Sequence, residues 1–262
     1  MHAIDPTDPG RAIDWGRTSE DYAKFRPGPP EDLYTVLAAL GIGLPGQEIL
    51  DLGTGTGVHA RMFARRGARV SGTDISDGQI ETARELARRD GVEVTFRVAP
   101  AEANPFANHR FDVVTANQCW LYFDLAQVIP EVRRLLRPTG RLVTSHFSWL
   151  PRVDAIAQRT EQLILRFNPQ WTAADWDGEV PVRPAWSRRD FGVRAMVCYD
   201  VLVPFTRDSW RGRIRASRGV GATLAPDEVA RFDRALDAIL REIAPATFTV
   251  AHRVDAHVFE PR

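Results

Sequence analysis

The residues best suited to chemistry lie in Ile49-Leu50-Asp51-Leu52-Gly53-Thr54-Gly55-Thr56-Gly57, with a second acid, Asp74, 23 residues after Asp51. A glycine-rich turn between a buried strand and a helix lets backbone approach a ligand closely, because no Cβ stands in the way. The spacing argues against two common ligands. A dinucleotide fingerprint counted from Gly53 requires glycine at 58, where the chain has Val58 and carries Gly57 one place early. The lysine and hydroxyl of a triphosphate-binding loop are missing as well. An acid at the end of the second strand is placed to accept both hydroxyls of an unphosphorylated ribose, the part Asp74 would take. Asp51 sits where it could meet a cationic amine beside the turn. Together these residues suit a nucleoside that carries an ammonium group and no phosphate.

Such residues need a βα framework to hold them. EILDL (48–52) reads as a buried strand, 58–67 as a helix closed by Gly67, 68–74 as a second strand and 77–91 as a helix ended by Gly91. Further strands are expected at 92–99, 111–117 and 141–147, with a helix over 124–140 broken near Pro138 and Gly140. Ahead of the turn, 18–40 carries two short helical patterns. Pro30 followed by Glu31 and Asp32 opens the second, since proline fits the first turn and acids favour the positive end of the dipole. Residues 41–47 form a breaker-rich link. Beyond the core, helices are expected at 152–167, 207–217 and 226–243, a Pro- and Trp-rich loop at 168–187, and strands at 195–205 and 247–259. The pattern predicts an α/β fold: a doubly wound, Rossmann-like, seven-stranded, mostly parallel sheet with helices on both faces and a small cap. It divides into N-terminal lid helices (1–45), a cofactor-binding core (46–150), and a substrate-cap insertion with the strands that complete the sheet (151–262).

A ligand that combines ribose and ammonium without phosphate is S-adenosylmethionine. ILDLGTGTG resembles the first motif of the class I S-adenosylmethionine-dependent methyltransferases, GTDIS their second, RFDVVTANQCW their fourth and LLRPTGRLV the helix-to-strand signature that follows. The resemblance covers residues 22–147 and leans toward the small-molecule branch that includes ubiquinone and menaquinone biosynthesis enzymes. Tyr22…Arg26-Pro27 is similar to a Y-x-x-x-R-P element of that branch. The resemblance implies that Gly53 and Gly55 line the methionine part, with Thr54 in the same turn, and that Asp51 and the carbonyl of Asn117 lie near the ammonium, Gln118 beside them. It implies Asp74 on the ribose, Ile75 and Gln79 by the adenine, Ala101 and Glu102 at the adenine edge, and Tyr22 and Arg26 closing over the methionine carboxylate. One departure stands out. Many relatives have G-D-A where this chain has Ala99-Pro100-Ala101, so the usual carboxylate to the adenine amino group is absent, and Glu102 reads either as its substitute or as a solvent-facing helix start.

Methyl transfer is an in-line displacement for which a protein supplies alignment, water exclusion and, where needed, a base. His146, in TSHFSW at the end of the fifth strand, is the best-placed titratable side chain for that base. His252 in the last strand could reach the same region but reads as a sheet-surface residue, and His59, opening the helix after the turn, as a capping or cofactor contact. Cys119 lacks the preceding proline of a cytosine-methylating nucleophile and reads as a packing residue. No N/D-P-P-Y motif of base-amine methylation is present, nor the acids of a metal-dependent catechol site. Trp120 and Tyr122, after the fourth strand, and Trp149 are candidate walls for a flat or apolar substrate.

Composition narrows the partners. The 262 residues carry 34 basic and 34 acidic side chains, so no net field draws polyanions, and nucleic acid is disfavoured. Hydrophobic residues at 44% and charged at 26% suit a folded globular chain rather than disorder. No apolar run reaches the roughly 20 residues of a membrane span. The N-terminus lacks an apolar secretory core, and two cysteines make no disulfide framework, so the cytoplasm is the expected compartment. The expectation is a methyltransferase that moves a methyl group to O, N or C of a small, aromatic or apolar molecule. The alternatives are a binding protein of the same fold without transfer, a tRNA or protein methyltransferase, and, disfavoured by the displaced glycine, a nucleotide-dependent oxidoreductase.

Overall fold

A computed structural model describes residues 7–8 and 11–262. Residues 1–6 and 9–10, on which the expectation of no secretory segment partly rests, lie outside the described residues. The apolar runs become seven strands: β1 (Glu48–Leu52), β2 (Arg69–Asp74), β3 (Val94–Val98), β4 (Phe111–Asn117), β5 (Leu136–Trp149), β6 (Phe191–Thr206) and β7 (Thr247–Pro261). They form one sheet in the order β3-β2-β1-β4-β5-β7-β6, in which β7 alone runs antiparallel to its neighbours. The strand order reverses direction at β1 and β4, and ligands of open α/β sheets bind at the carboxyl ends of strands at such a switch point.

Eight helices accompany the strands: α1 (Ser19–Phe25), α2 (Glu31–Ala39), α3 (Val58–Arg65), α4 (Asp77–Arg89), α5 (Leu125–Leu135), α6 (Ala155–Phe167), α7 (Arg207–Arg215) and α8 (Pro226–Ile243). The two-residue period of the strands sorts them onto two faces. Ile49 and Val113 point into a core shared with Leu33 and Leu37 of α2, Phe63 of α3 and Ile80 of α4. Leu50 and Val114, one residue out of phase, point into a second core with Val128, Val132 and Leu135 of α5. A third core around the fully buried Trp210 binds α6, α7 and α8 to the outer ends of β6 and β7 through Phe205 and Val250. Among the described residues no helix is long and apolar enough to cross a membrane.

Two boundaries differ from expectation for local reasons. The helix expected to run to residue 140 stops at Leu135, and Leu136 already pairs with Phe111. Proline at 138 drives Arg137 out of the helical region, so the chain enters the sheet early and takes up the excess as a bulge opposite Asp112. Strand β6 starts four residues before the expected 195 and tolerates Pro204, because it lies at the sheet edge.

Candidate functional site

The turn after β1 is built by its own side chains and amides. Thr54 N–H donates to the Thr73 carbonyl at 2.9 Å, Gly57 N–H to the Thr54 carbonyl at 2.9 Å, and Thr54 Oγ1 to Asp51 Oδ2 at 2.6 Å. Two positions require glycine. At Gly53, with φ +57°, a Cβ would lie 2.8 Å from Cys119 Sγ; at Gly57, with φ +75°, it would lie 2.8 Å from the Phe96 ring. Cys119 is thus the packing residue the sequence indicates. Its thiol donates to the Leu52 carbonyl at 3.1 Å, and burial raises its pKa well above the ordinary value.

Asp74 closes the far side of the turn. Its Oδ2 accepts from Gly55 N–H and its Oδ1 from Ser76 N–H, each at 2.9 Å, while burial raises its pKa. The Ile75 amide also bonds this carboxylate, and the lone pairs left over sit at the tip of β2, where a vicinal diol can donate. Next to it, Ile75 is 69% exposed, an apolar side chain left standing at the surface. Gln79 is buried, gives Nε2 to the Trp15 carbonyl at 3.0 Å and leaves Oε1 without a partner. Acceptors for a diol, an apolar flank and an orphaned amide oxygen fit the ribose and adenine of S-adenosylmethionine.

Two expectations for this end of the site are corrected and a third is refined. Asp51, expected near the ammonium, is 1% exposed. Its oxygens accept from Thr54, from Thr115 Oγ1 at 2.7 Å and from the Ala60 amide at the start of α3. It shapes the turn from below, and burial lifts its pKa from 3.8 to about 6. Glu102, the substitute for the missing adenine-edge carboxylate, instead accepts from Asp124 N–H at 3.0 Å at the entry to α5; Ala101 beside it is buried. His59 caps nothing. It is packed between Tyr34 and Phe63, with both ring nitrogens unpartnered, and burial lowers its pKa to about 3.

The N-terminal segment lies across the turn. Trp15 meets Tyr122 edge-on with centroids 5.5 Å apart, and the ring of Tyr22 carries the Arg26 guanidinium 4.5 Å above it. Asp21 pairs with Arg215, and Phe25 packs against Gly212, so α1 is tied to α7. Neither tie was visible in the sequence, because the partners are some 190 positions apart.

At the end of β4, Asn117 Oδ1 accepts from Ser145 Oγ at 3.1 Å. Gln118 takes the left-handed conformation with φ +66°, held by its Nε2–H to the Phe147 carbonyl and its own N–H to the Ser145 carbonyl. A non-glycine residue there is strained and persists only where its surroundings over-determine it. One strand over, His146 Nδ1 lies 3.0 Å from Asp255 Oδ1. Asp255, fully buried on β7, was not singled out in the sequence. The only available signal was an acid inside an apolar strand, VDAHVF. Since a carboxylate can only accept, Nδ1 carries the proton and Nε2 is left as the basic nitrogen.

Among the aromatic candidates, Trp120 is corrected. It is 4% exposed and packed against Trp186 at 4.7 Å in the core beneath α5, so it walls no open space. Tyr122 and Trp149 do face the cap: Arg218 lies 5.6 Å over the Tyr122 ring and Arg213 4.8 Å over that of Trp149. His252, expected on the sheet surface, is fully buried between Phe147, Phe205 and Trp210, because α7 covers that end of the sheet.

A family model described as a methyltransferase domain matches residues 50–144. The chain is 33% identical over 174 residues to a ubiquinone biosynthesis O-methyltransferase of Alkalilimnicola ehrlichii, covering 64% of this chain and 69% of that one. It is 37% identical over 116 residues to the methyltransferase GfsG of Streptomyces halstedii, covering 43% and 42% of the two chains. The matched part thus spans less than half of one relative and about two thirds of the other. Among solved structures, an S-adenosylmethionine-dependent methyltransferase from Geobacter sulfurreducens in complex with S-adenosyl-L-homocysteine superposes with a TM-score of 0.53 at 21% identity, covering 95% and 97% of the two chains. That likeness is one of fold.

Proposed function

The chain belongs to the class I S-adenosylmethionine-dependent methyltransferases, and from that membership we propose that it methylates an O, N or C nucleophile of a small aromatic or apolar molecule. The observation that carries the reading is the joint at the carboxyl ends of the central strands: the glycine turn, the Asp74 carboxylate bonded to Gly55 N–H, and the strained Asn117–Gln118 corner. In this reading Gly53, Thr54 and Gly55 lie along the methionine portion, Asp74 holds the ribose, and Ile75 and Gln79 flank the adenine. Tyr22 and Arg26 close over the carboxylate, and Asp51 contributes its negative field from beneath rather than a direct bond. S-adenosylmethionine, when bound, supplies a methyl group already activated by the sulfonium.

The remaining work falls to the chain. His146 accepts the acceptor's proton at Nε2, and Asp255 holds the ring through Nδ1 and stabilises the imidazolium that results. The N-terminal segment and the aromatic side chains Tyr122 and Trp149 exclude water and align the acceptor. The ubiquinone biosynthesis relative, named an O-methyltransferase, favours oxygen as the methylated atom. The working compartment in this reading is the cytoplasm, which suits the free thiols Cys119 and Cys198. Calorimetric titration with S-adenosylmethionine, S-adenosylhomocysteine and NAD tests the first half, with binding of the two sulfur nucleosides and not NAD expected. Transfer of a labelled methyl group to phenolic acceptors tests the second; binding of NAD alone would overturn both.

A further inference from the structure

Helix α7 carries four arginines, and three of them have ordinary partners. Arg207 donates to the Ala244 carbonyl, Arg211 pairs with Asp233 and Asp237, and Arg215 pairs with Asp21 and Asp233. Arg213 points the other way, inward. It is only 5% exposed, and its guanidinium stacks 4.8 Å over the face of Trp149, whose indole N–H donates to the buried Glu161 Oε1 at 2.6 Å. Burial drives its pKa well down, Arg26 lowers it further and Tyr22 raises it, and none of its own nitrogens is seen to hydrogen-bond an acid among the described residues. His252 is held neutral, its pKa lowered to about 4, with Nδ1 on the Val250 carbonyl. A guanidinium remains charged in a protein, and burying one without a counter-ion is costly. Such a group is stable only against the rest of the fold, or against an anion that arrives.

We propose that Arg213 receives a carboxylate of the acceptor, so that the aromatic substrate of the proposed reaction is an acid bound beneath α7. The inference rests on the methyltransferase reading and names its substrate class. A guanidinium fork matches a planar carboxylate with two parallel hydrogen bonds, and its stack on the Trp149 face holds the fork in one orientation. Arg26, already stacked on Tyr22, stays with the methionine carboxylate, so the two arginines divide two anions between them.

The test compares wild type with Arg213→Met and Arg213→Gln, using benzoate and benzamide as probes in the presence of S-adenosylhomocysteine. Benzoate should raise the melting temperature of the wild type and bind at least about tenfold more tightly than benzamide, a preference both variants lose. The free variants should melt higher than wild type, since they remove a buried, uncompensated charge. Benzoate that protects none of the proteins, or all equally, overturns the proposal. So does a loss of S-adenosylhomocysteine affinity in both variants with methylthioadenosine affinity unchanged, because Arg213 would then serve the methionine carboxylate. Failure of wild type to bind S-adenosylhomocysteine would instead remove the methyltransferase reading itself.

Discussion

Replacing Asp51 by asparagine should stabilise the free protein at pH 8 while weakening its hold on a cationic ligand. The carboxyl is fully buried beneath the glycine turn, and its pKa is lifted from 3.8 to about 6 chiefly by desolvation. A raised carboxyl pKa means that the folded protein binds the proton more tightly than the unfolded chain, so stability falls as pH rises from 3.8 through about 6. The full cost of ionisation is about 3 kcal/mol at pH 8, about half that at pH 5, and vanishes below pH 3.8. An asparagine has nearly the same shape but must donate where a threonine hydroxyl now donates to the acid. Thr115 has the Leu50 carbonyl as another acceptor at 3.5 Å, so the rearrangement costs about 1 kcal/mol. The net gain for Asp51→Asn is about 2 kcal/mol at pH 8, falling to a few tenths at pH 5. Urea unfolding at both pH values, followed by tryptophan fluorescence, measures it. In parallel, wild-type affinity for S-adenosylmethionine should rise through pH 6 as the carboxyl ionises, whereas the variant's should stay flat. A variant less stable than wild type by the same margin at both pH values would refute the reasoning, since the charge would then carry no burial cost.

Other outcomes follow from the same geometry. Asp74→Ala should weaken S-adenosylmethionine binding by about 1–3 kcal/mol in calorimetry, and an unchanged affinity would remove the ribose assignment. His146→Ala and Asp255→Asn should each lower kcat by about 10²–10⁴-fold while leaving S-adenosylhomocysteine affinity intact; an unaltered kcat would show that the acceptor needs no base. His59→Phe should flatten the acid limb of the stability curve. The neutral imidazole with a pKa of about 3 is destabilising as pH falls from 6.5 toward 3, since the unfolded chain takes the proton first, and the phenyl ring loses no hydrogen bond. Unfolding at pH 4.5 no slower or smaller in that variant than in wild type would sink the assignment.

What the sequence made legible is what is local in it. Glycine turn, following helix and Asp74 fall within 26 residues, and their chemistry depends on type and spacing that can be counted along the chain. Sheet and helices follow from apolar periodicity that tertiary packing did not overrule. What the sequence did not show has another cause. Glu102 finds Asp124 across a loop, Trp120 finds Trp186 across 66 residues, and His146 finds Asp255 across 109. Each partner is set by strand order and by which face a side chain takes, neither of which is written near the residue. His252 reads as a surface position until α7 is known to cover it.

The costs the fold tolerates are unevenly distributed, and the distribution argues for where the work is done. At the amino ends of the strands, charges meet ordinary partners near the surface: Asp112 takes the Glu48 amide and Arg137, and Glu48 takes Arg69. At the carboxyl ends and under α7 the pattern reverses. There lie a desolvated Asp51, a left-handed Gln118, an orphaned Gln79 oxygen and an uncompensated Arg213. Residues held against local preference cluster where binding or catalysis needs them. The two charges also differ in sign. The negative one sits beneath the turn and the positive one is held by the cap. A cationic methyl donor below and an anionic acceptor above would satisfy both at once, and would draw the two reactants toward one another.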